Sequence, residues 1–178
     1  MRIGLISDTH IPTAGPDLWP QAYEALRGVD LIMHAGDLHD TVVLDRLERL
    51  ASVLAVSGNG DYRGHERTEP PTDPRLRESR VLTLDGDGLR IGLVHDLTLP
   101  ESPPHRTLER QMEHYFSGPV DVIVRGSTHR AEIVTVKGVL IVNPGSPSFP
   151  DHRSLSLGTI AYLDIEDGRV HPSILQLR

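Results

Sequence analysis

Apolar residues fall along this chain in short blocks, and the spacing inside each block indicates the element it forms. Ile3, Leu5 and Ile6 make Arg2–Ser7 a compact apolar run, which reads as a buried strand, and Asp8–Pro16 is the loop that follows. Asp17–Leu26 carries Leu18, Ala22, Tyr23 and Leu26 at helical spacing. Pro20 lies in its first turn, where proline is tolerated, and Gly28 ends it. Asp30–His34 is a second buried strand. Thr41–Ala51 places Val43, Leu44, Leu47, Leu50 and Ala51 on one face and Asp45, Arg46, Glu48 and Arg49 opposite, which predicts an amphipathic helix. Val53–Val56 is a third strand. This β-α-β-α-β order implies a parallel sheet with right-handed crossovers.

The later chain is richer in strands. Arg80–Leu84 and Leu89–Val94 flank Asp85-Gly86-Asp87-Gly88, a hairpin signal. Arg106–Phe116 reads as a helix. Val120–Val124, Glu132–Val136, Val139–Val142, Thr159–Asp164 and Val170–Leu177 read as strands, with turns at Lys137-Gly138 and Glu166-Asp167-Gly168. The shift toward a β-meander predicts two sheets packed face to face. Arg63–Pro74, with Pro70, Pro71 and Pro74, reads as a surface loop. No linker or repeat divides the 178 residues, so residues 1–178 are read as a single α/β domain.

Composition narrows the chemistry. The chain has no cysteine, which excludes disulfides, thiolate zinc sites and a cysteine nucleophile. No apolar run reaches the roughly 18 residues of a membrane span, so no membrane role is expected. Met1 leads straight into the first strand, which predicts a cytoplasmic protein with no signal peptide. The net charge is −7 and no basic run breaks it, so stable nucleic-acid binding is not expected. An acidic chain can still process an anion if metals sit in its site: two divalent ions, adding +4, would bring −7 to −3. Ten histidines are many for this length, and their placement matters.

Polar residues of metal-binding type directly follow the strands. Asp8-Thr9-His10 follows the first, Gly36-Asp37 with His39 and Asp40 the second, and Gly58-Asn59-Gly60-Asp61 the third. His95-Asp96 follows the Leu89–Val94 strand, and Gly126-Ser127-Thr128-His129 follows Val120–Val124. Each piece alone reads as a turn, a cap or a hydrogen-bonded histidine. Together they put five segments at strand carboxyl ends, where open α/β sheets bind ligands. Mixed carboxylate, imidazole and amide donors suit Mn²⁺, Fe²⁺, Co²⁺, Ni²⁺ or Zn²⁺. A bridging carboxylate such as Asp37 could hold two ions about 3.5–4 Å apart, able to clamp a phosphoryl group.

The motifs Asp8-x-His10, Gly36-Asp37-x-x-Asp40, Gly58-Asn59-x-Asp61, His95, the segment ending in His129, and Asn143-Pro144-Gly145-Ser146 resemble those of the calcineurin-like metallophosphoesterase superfamily. The nearest resemblance is to its small bacterial and archaeal phosphodiesterase branch, which also includes the retromer subunit of the vacuolar sorting type. That resemblance implies a four-layer α/β sandwich with two central mixed β-sheets. It implies Asp8, His10 and His129 on a first metal, Asp37 as the bridge, and Asn59 and His95 on a second. Catalytic roles would fall to Asn59 and to Asp61, the latter by orienting Asn59 or a ligand histidine. The implied function is a metal-dependent phosphodiesterase or phosphatase acting on a small phosphoester through a metal-bound hydroxide.

Two positions depart from the pattern. The family usually has histidine where this chain has Ser127, and a serine hydroxyl is a far poorer ligand. The second of the two divalent metal ions (Mn, Ni, Fe or Zn) should therefore be held more weakly, unless His39 or Asp96 compensates. Gly60 stands where more distant phosphatases carry a histidine that assists the leaving group, though the phosphodiesterase branch lacks it too. Ser127 also favours an alternative: a catalytically weak or inactive protein-binding scaffold of the same fold. Whether the chain forms a homo-oligomer stays open.

The remaining candidates have plainer readings. His34 reads equally as tuning the site or as a satisfied core histidine. Arg130 and Arg153 could meet phosphate oxygens but read better as solvated surface groups. His65, His105, His114, His152 and His171 lack strand-end context, and Trp19 and Tyr23 read as helix packing.

Overall fold

The computed structural model describes residues 1–62, 71–86, 88–152 and 155–178, and of His152 the backbone only. Most of the Arg63–Pro74 loop, with His65, Asp87 and Arg153, lies outside the described residues, as does the His152 side chain. The elements run β1 (Arg2–Ile6), α1 (Pro20–Ala25), β2 (Leu31–His34), α2 (Val42–Leu47), β3 (Ser52–Val56), β4 (Leu76–Arg77), β5 (Ser79–Thr83) and β6 (Arg90–Val94). They continue with α3 (Leu108–Phe116), β7 (Val122–Val124), β8 (Ala131–Val136), β9 (Val139–Pro144), β10 (Thr159–Glu166) and β11 (Arg169–Gln176).

The strands form two mixed sheets, one ordered β11-β10-β1-β2-β3-β4 and the other β5-β6-β7-β9-β8. β1, β2 and β3 are parallel, with Ile3 beside Leu31 and Leu31 beside Ser52. In the second sheet β6, β7 and β9 are parallel and β5 and β8 antiparallel to their neighbours. The later strands are therefore not one meander. β10 and β11 return to the first sheet, where β10 pairs antiparallel with β1 and covers an edge that would otherwise present open backbone groups.

Four layers follow from where the apolar side chains go. Leu18, Ala22 and Leu26, with Val43, Leu44 and Leu47 of α2, pack on Ile6, Ile32 and Ala55 of the first sheet. Ile3, Leu5 and Met33 meet Ile91, Leu93, Val122, Val124 and Val142 between the sheets. Leu108, Met112 and Phe116 of α3 cover Val94, Ile123 and Ile141 on the far side. Strands β1 and β2 are thus buried on both faces, which is why they read as unbroken apolar runs.

Helix ends differ from the sequence reading. The first helix starts at Pro20 rather than Asp17, because Asp17 Oδ1 turns to accept from its neighbour Leu18 N–H, from the Tyr23 hydroxyl and from Arg46. Trp19 lies just before that helix and is 38% exposed, so it does not pack as expected, while Tyr23 does pack against the first core. The helix at Thr41–Ala51 regularises only over Val42–Leu47. Thr107 caps α3, its Oγ1 accepting from Arg110 N–H at 3.4 Å. The short strand β4 has no sequence signal, since its length is two residues. No helix among the described residues is long and apolar enough to cross a membrane.

Candidate metal centre

The loops leaving β1, β2 and β7 share an unusual backbone. Asp8 and His10, Asp37 and His39, and Ser127 and His129 all have positive φ, from 50° to 75°. Left-handed backbone at a non-glycine residue costs about 1–3 kcal/mol and persists only where the surroundings impose it. Here the loops are laced together. Asp8 N–H donates to Gly36 O at 2.9 Å, His10 N–H to Asp37 O at 3.0 Å, and Gly126 N–H to His95 O at 2.9 Å.

This lacing gathers five of the six donors predicted from the sequence, Asp8, His10, Asp37, His95 and His129. His129 Nε2 lies 3.4 Å from Asp8 Oδ1 and 3.0 Å from His10 Nε2. His10 Nε2 lies 3.7 Å from Asp37 Oδ2, and His95 Nε2 lies 3.6 Å from Asp37 Oδ1. Three donor triads result, each with its ligand atoms within 4.8 Å of one another: Asp8, His10 and His129; Asp8, Asp37 and His95; and His10, Asp37 and His39. They overlap through Asp8, His10 and Asp37, so the cluster is continuous.

The donor set fits divalent ions. His95 points Nδ1 at Ala35 O, 2.7 Å away, and His129 points Nδ1 at Phe149 O, 2.6 Å away. A carbonyl fixes the proton on Nδ1 and leaves Nε2 with its lone pair, the usual support of a metal-binding histidine. His95 Nε2 is buried and has no hydrogen-bond partner among the described residues. Asp8 is fully buried, and burial pushes its pKa up to about 7, against the opposing pull of His95, the Ser7 hydrogen bond and the Ser127 N–H. Such a carboxylate lacks a compensating cation.

Several side chains hold the donors without belonging to them. Asp61 accepts three backbone N–H groups: Asp37 at 2.9 Å, Gly58 at 2.8 Å and His39 at 2.7 Å. Burial raises its pKa despite those bonds. Asn143 Nδ2 donates to Gly126 O at 2.8 Å and to Thr128 Oγ1 at 3.0 Å, which pins the loop before His129. Ser146 Oγ donates to Asp8 O at 2.7 Å, and Ser148 Oγ to Thr9 O at 2.8 Å. The Asn143–Ser146 turn therefore links the β9 end to the Asp8 loop.

The other sequence candidates separate clearly. Asn59 is exposed in a single 3₁₀ turn, on a groove of about 200 Å³ that it shares with His95, Asp96, Tyr62 and Tyr115. Ser127 gives Asp8 its backbone N–H, at 3.1 Å from Oδ2. His34 is a core histidine: Nδ1 accepts from Gly36 N–H and Nε2 faces Thr9 Oγ1, both at 3.2 Å. Burial lowers its pKa to about 3, so it stays neutral. Arg130 pairs with Asp151 at 2.6 Å on the surface. His105, His114 and His171 are exposed. Sequence reasoning left His39 out of the ligand set, naming it with Asp96 only as a compensation for Ser127. The signal was its place two residues after Asp37, repeating the spacing of Asp8 and His10.

Comparison with known proteins identifies the family. The calcineurin-like phosphoesterase superfamily domain matches residues 1–168. A probable metallophosphoesterase of Methanocaldococcus jannaschii is 35% identical over 170 residues, covering 94% of this chain and 77% of the relative. A phosphodiesterase of the same organism is 28% identical over 155 residues, covering 82% and 83%. Vacuolar Protein Sorting 29 of Cryptosporidium parvum superposes with a TM-score of 0.69 over 99% of this chain and 97% of its own, at 20% identity, a likeness of fold.

Proposed function

Because this chain belongs to the calcineurin-like phosphoesterase superfamily, we propose that its donor cluster is the centre of a divalent-metal phosphodiesterase. The observation that carries this reading is the buried Nε2 of His95, which has no hydrogen-bond partner among the described residues and lies 3.6 Å from Asp37 Oδ1 inside a continuous set of carboxylates and imidazoles. Asp8, His10 and His129 would hold one ion, Asp37 would bridge, and His95 with Asn59 would hold the other. Divalent ions held there supply Lewis acidity, acidifying a water for attack and drawing charge from the phosphoryl oxygens.

The chain's own groups set up that chemistry. Asn59, exposed at the rim of the groove, offers its amide N–H to a phosphoryl oxygen of the substrate. Asp61 is a positioning residue: by fixing the backbone of Asp37, Gly58 and His39 it holds the bridge and both flanking loops. Gly60 N–H donates to Asp37 Oδ1 at 2.6 Å and fixes which carboxylate oxygen faces His95. The family domain runs through most of the chain, in keeping with one domain over residues 1–178. A small phosphoester is the substrate, and the cytoplasm is the proposed location.

The test is hydrolysis of an aryl phosphodiester by the chelator-treated protein after adding Mn²⁺, Zn²⁺ or Ni²⁺. Turnover is expected with at least one metal and is absent from Asp37→Ala. Equal rates for the two proteins across all metals would remove the enzyme reading. The scaffold alternative draws on Ser127 alone, and the metal content of the purified protein separates the two: a chain without bound metal supports the scaffold.

A further inference from the structure

We propose that His39 is a metal ligand in this protein, supplying the centre with an imidazole in compensation for the one that Ser127 replaces. This rests on the metal-centre reading above and adds one residue to it. His39 belongs to the donor triad with His10 and Asp37, all three ligand atoms lying within 4.8 Å of one another. Its ring stands edge-on to that of His10, with centroids 4.3 Å apart.

Three features prepare this side chain to bind. Its backbone is fixed: φ is 68°, and its N–H donates to Asp61 Oδ1 at 2.7 Å, the carboxylate that also holds Asp37. Its Nδ1 faces the Thr13 hydroxyl at 3.2 Å. With Nδ1–H donated to that oxygen, Nε2 keeps its lone pair, as in His95 and His129. Its Nε2 borders the bare face of Gly60, which Asp37 Oδ1 of the bridging carboxylate borders too. A Cβ at position 60 would stand 2.5 Å from His39 Nε2 and 3.0 Å from Asp37 Oδ1, so those two donor atoms flank one point. Any side chain at 60 would occupy the space the imidazole uses. Gly60 and His39 thus make one device: the glycine opens the room and the histidine fills it.

Ser127 offers no such donor. It gives Asp8 a backbone N–H, and a neutral hydroxyl binds these ions poorly. The protein therefore keeps its imidazole number by drawing one from the β2 loop in place of the β7 loop.

The experiment is a Zn²⁺ titration of chelator-stripped full-length protein, followed by calorimetry and by zinc K-edge X-ray absorption on the loaded samples. His39→Asn is the main variant, because asparagine tolerates the left-handed backbone at this position. It should weaken one Zn²⁺ equivalent by about tenfold or more and lower the mean number of imidazoles per zinc. Gly60→Ala should reproduce the weakening in the wild-type background and add nothing to His39→Asn, because its methyl group acts by displacing the ring. Unchanged affinity and imidazole number in His39→Asn, with binding lost in Asp37→Ala, would overturn the proposal and leave the metal centre standing. Wild-type protein that binds no more Zn²⁺ than Asp37→Ala would overturn both.

Discussion

Replacing Asp8 with Asn in the metal-free protein removes one buried carboxyl and should change how stability depends on pH. Burial raises the Asp8 pKa from 3.8 to about 7. Between those values the unfolded chain has released its proton and the folded chain has not. Its contribution is therefore full below about pH 4 and is lost as pH rises through 7. A gap of about 3 pH units at about 1.4 kcal/mol each amounts to about 4 kcal/mol. His34 acts in the opposite sense. Its pKa falls from 6.5 to about 3, so its contribution is present above 6.5 and lost as pH falls toward 3. Over the shared window the two slopes oppose, so the wild-type curve alone does not isolate Asp8.

Subtraction isolates Asp8. Urea unfolding of chelator-stripped wild type and Asp8→Asn, run side by side from about pH 4.5 to 6.5, gives the difference directly. Wild type should lose about 1.4 kcal/mol per pH unit relative to the variant. Asp61 is also raised by burial but is present in both proteins, so its share cancels. Parallel curves for the two proteins would refute the reasoning, because they would mean that Asp8 is already ionised in the folded metal-free state.

Asp61→Ala leaves three backbone N–H groups without their carboxylate, two of them on the buried residues Asp37 and Gly58. At about 1–3 kcal/mol for each of the two buried groups, chemical denaturation should show a loss of about 2–6 kcal/mol; a loss under about 1 kcal/mol would mean that water replaces the carboxylate. Ser127→His restores an imidazole at a left-handed position that histidine enters readily, and should tighten the weaker metal equivalent by about tenfold, read by calorimetry. Unchanged affinity would show that residue 127 does not face the centre. Phe116→Ala empties the space over Gly92, where even a Cβ would stand 2.6 Å from the ring, and should cost about 3–5 kcal/mol in urea unfolding.

What the sequence disclosed follows from how local each signal is. The parallel β1-β2-β3 core was legible because each strand is a short apolar run, buried on both faces, between helices with their own period. The return of β10 to pair with β1 was not legible, since it joins residues about 160 positions apart and only an unpaired edge calls for it. At the site, Asp8, His10, Asp37, His95 and His129 could be named because each directly follows an apolar strand. The groups that hold them leave no such mark. Asp61 looks like any turn carboxylate until its three backbone donors are seen, and Asn143 like any turn asparagine until it reaches Gly126.

The backbone of the three loops explains why the donors stand where they do. Asp8 and His10, Asp37 and His39, and Ser127 and His129 repeat one arrangement, left-handed at alternate positions. Nothing in the identities of aspartate, histidine or serine demands that geometry, and each instance is unfavourable by itself. It is imposed by bonds between loops: Ser146 on Asp8 O, Ser127 N–H on the Asp8 carboxylate, Asp61 on the Asp37 and His39 amides. These contacts run between the loops through backbone amides and carbonyls, a serine hydroxyl and the carboxylates of Asp8 and Asp61. Neighbouring donor atoms consequently lie 3.0–3.7 Å apart, and those of each triad lie within 4.8 Å of one another.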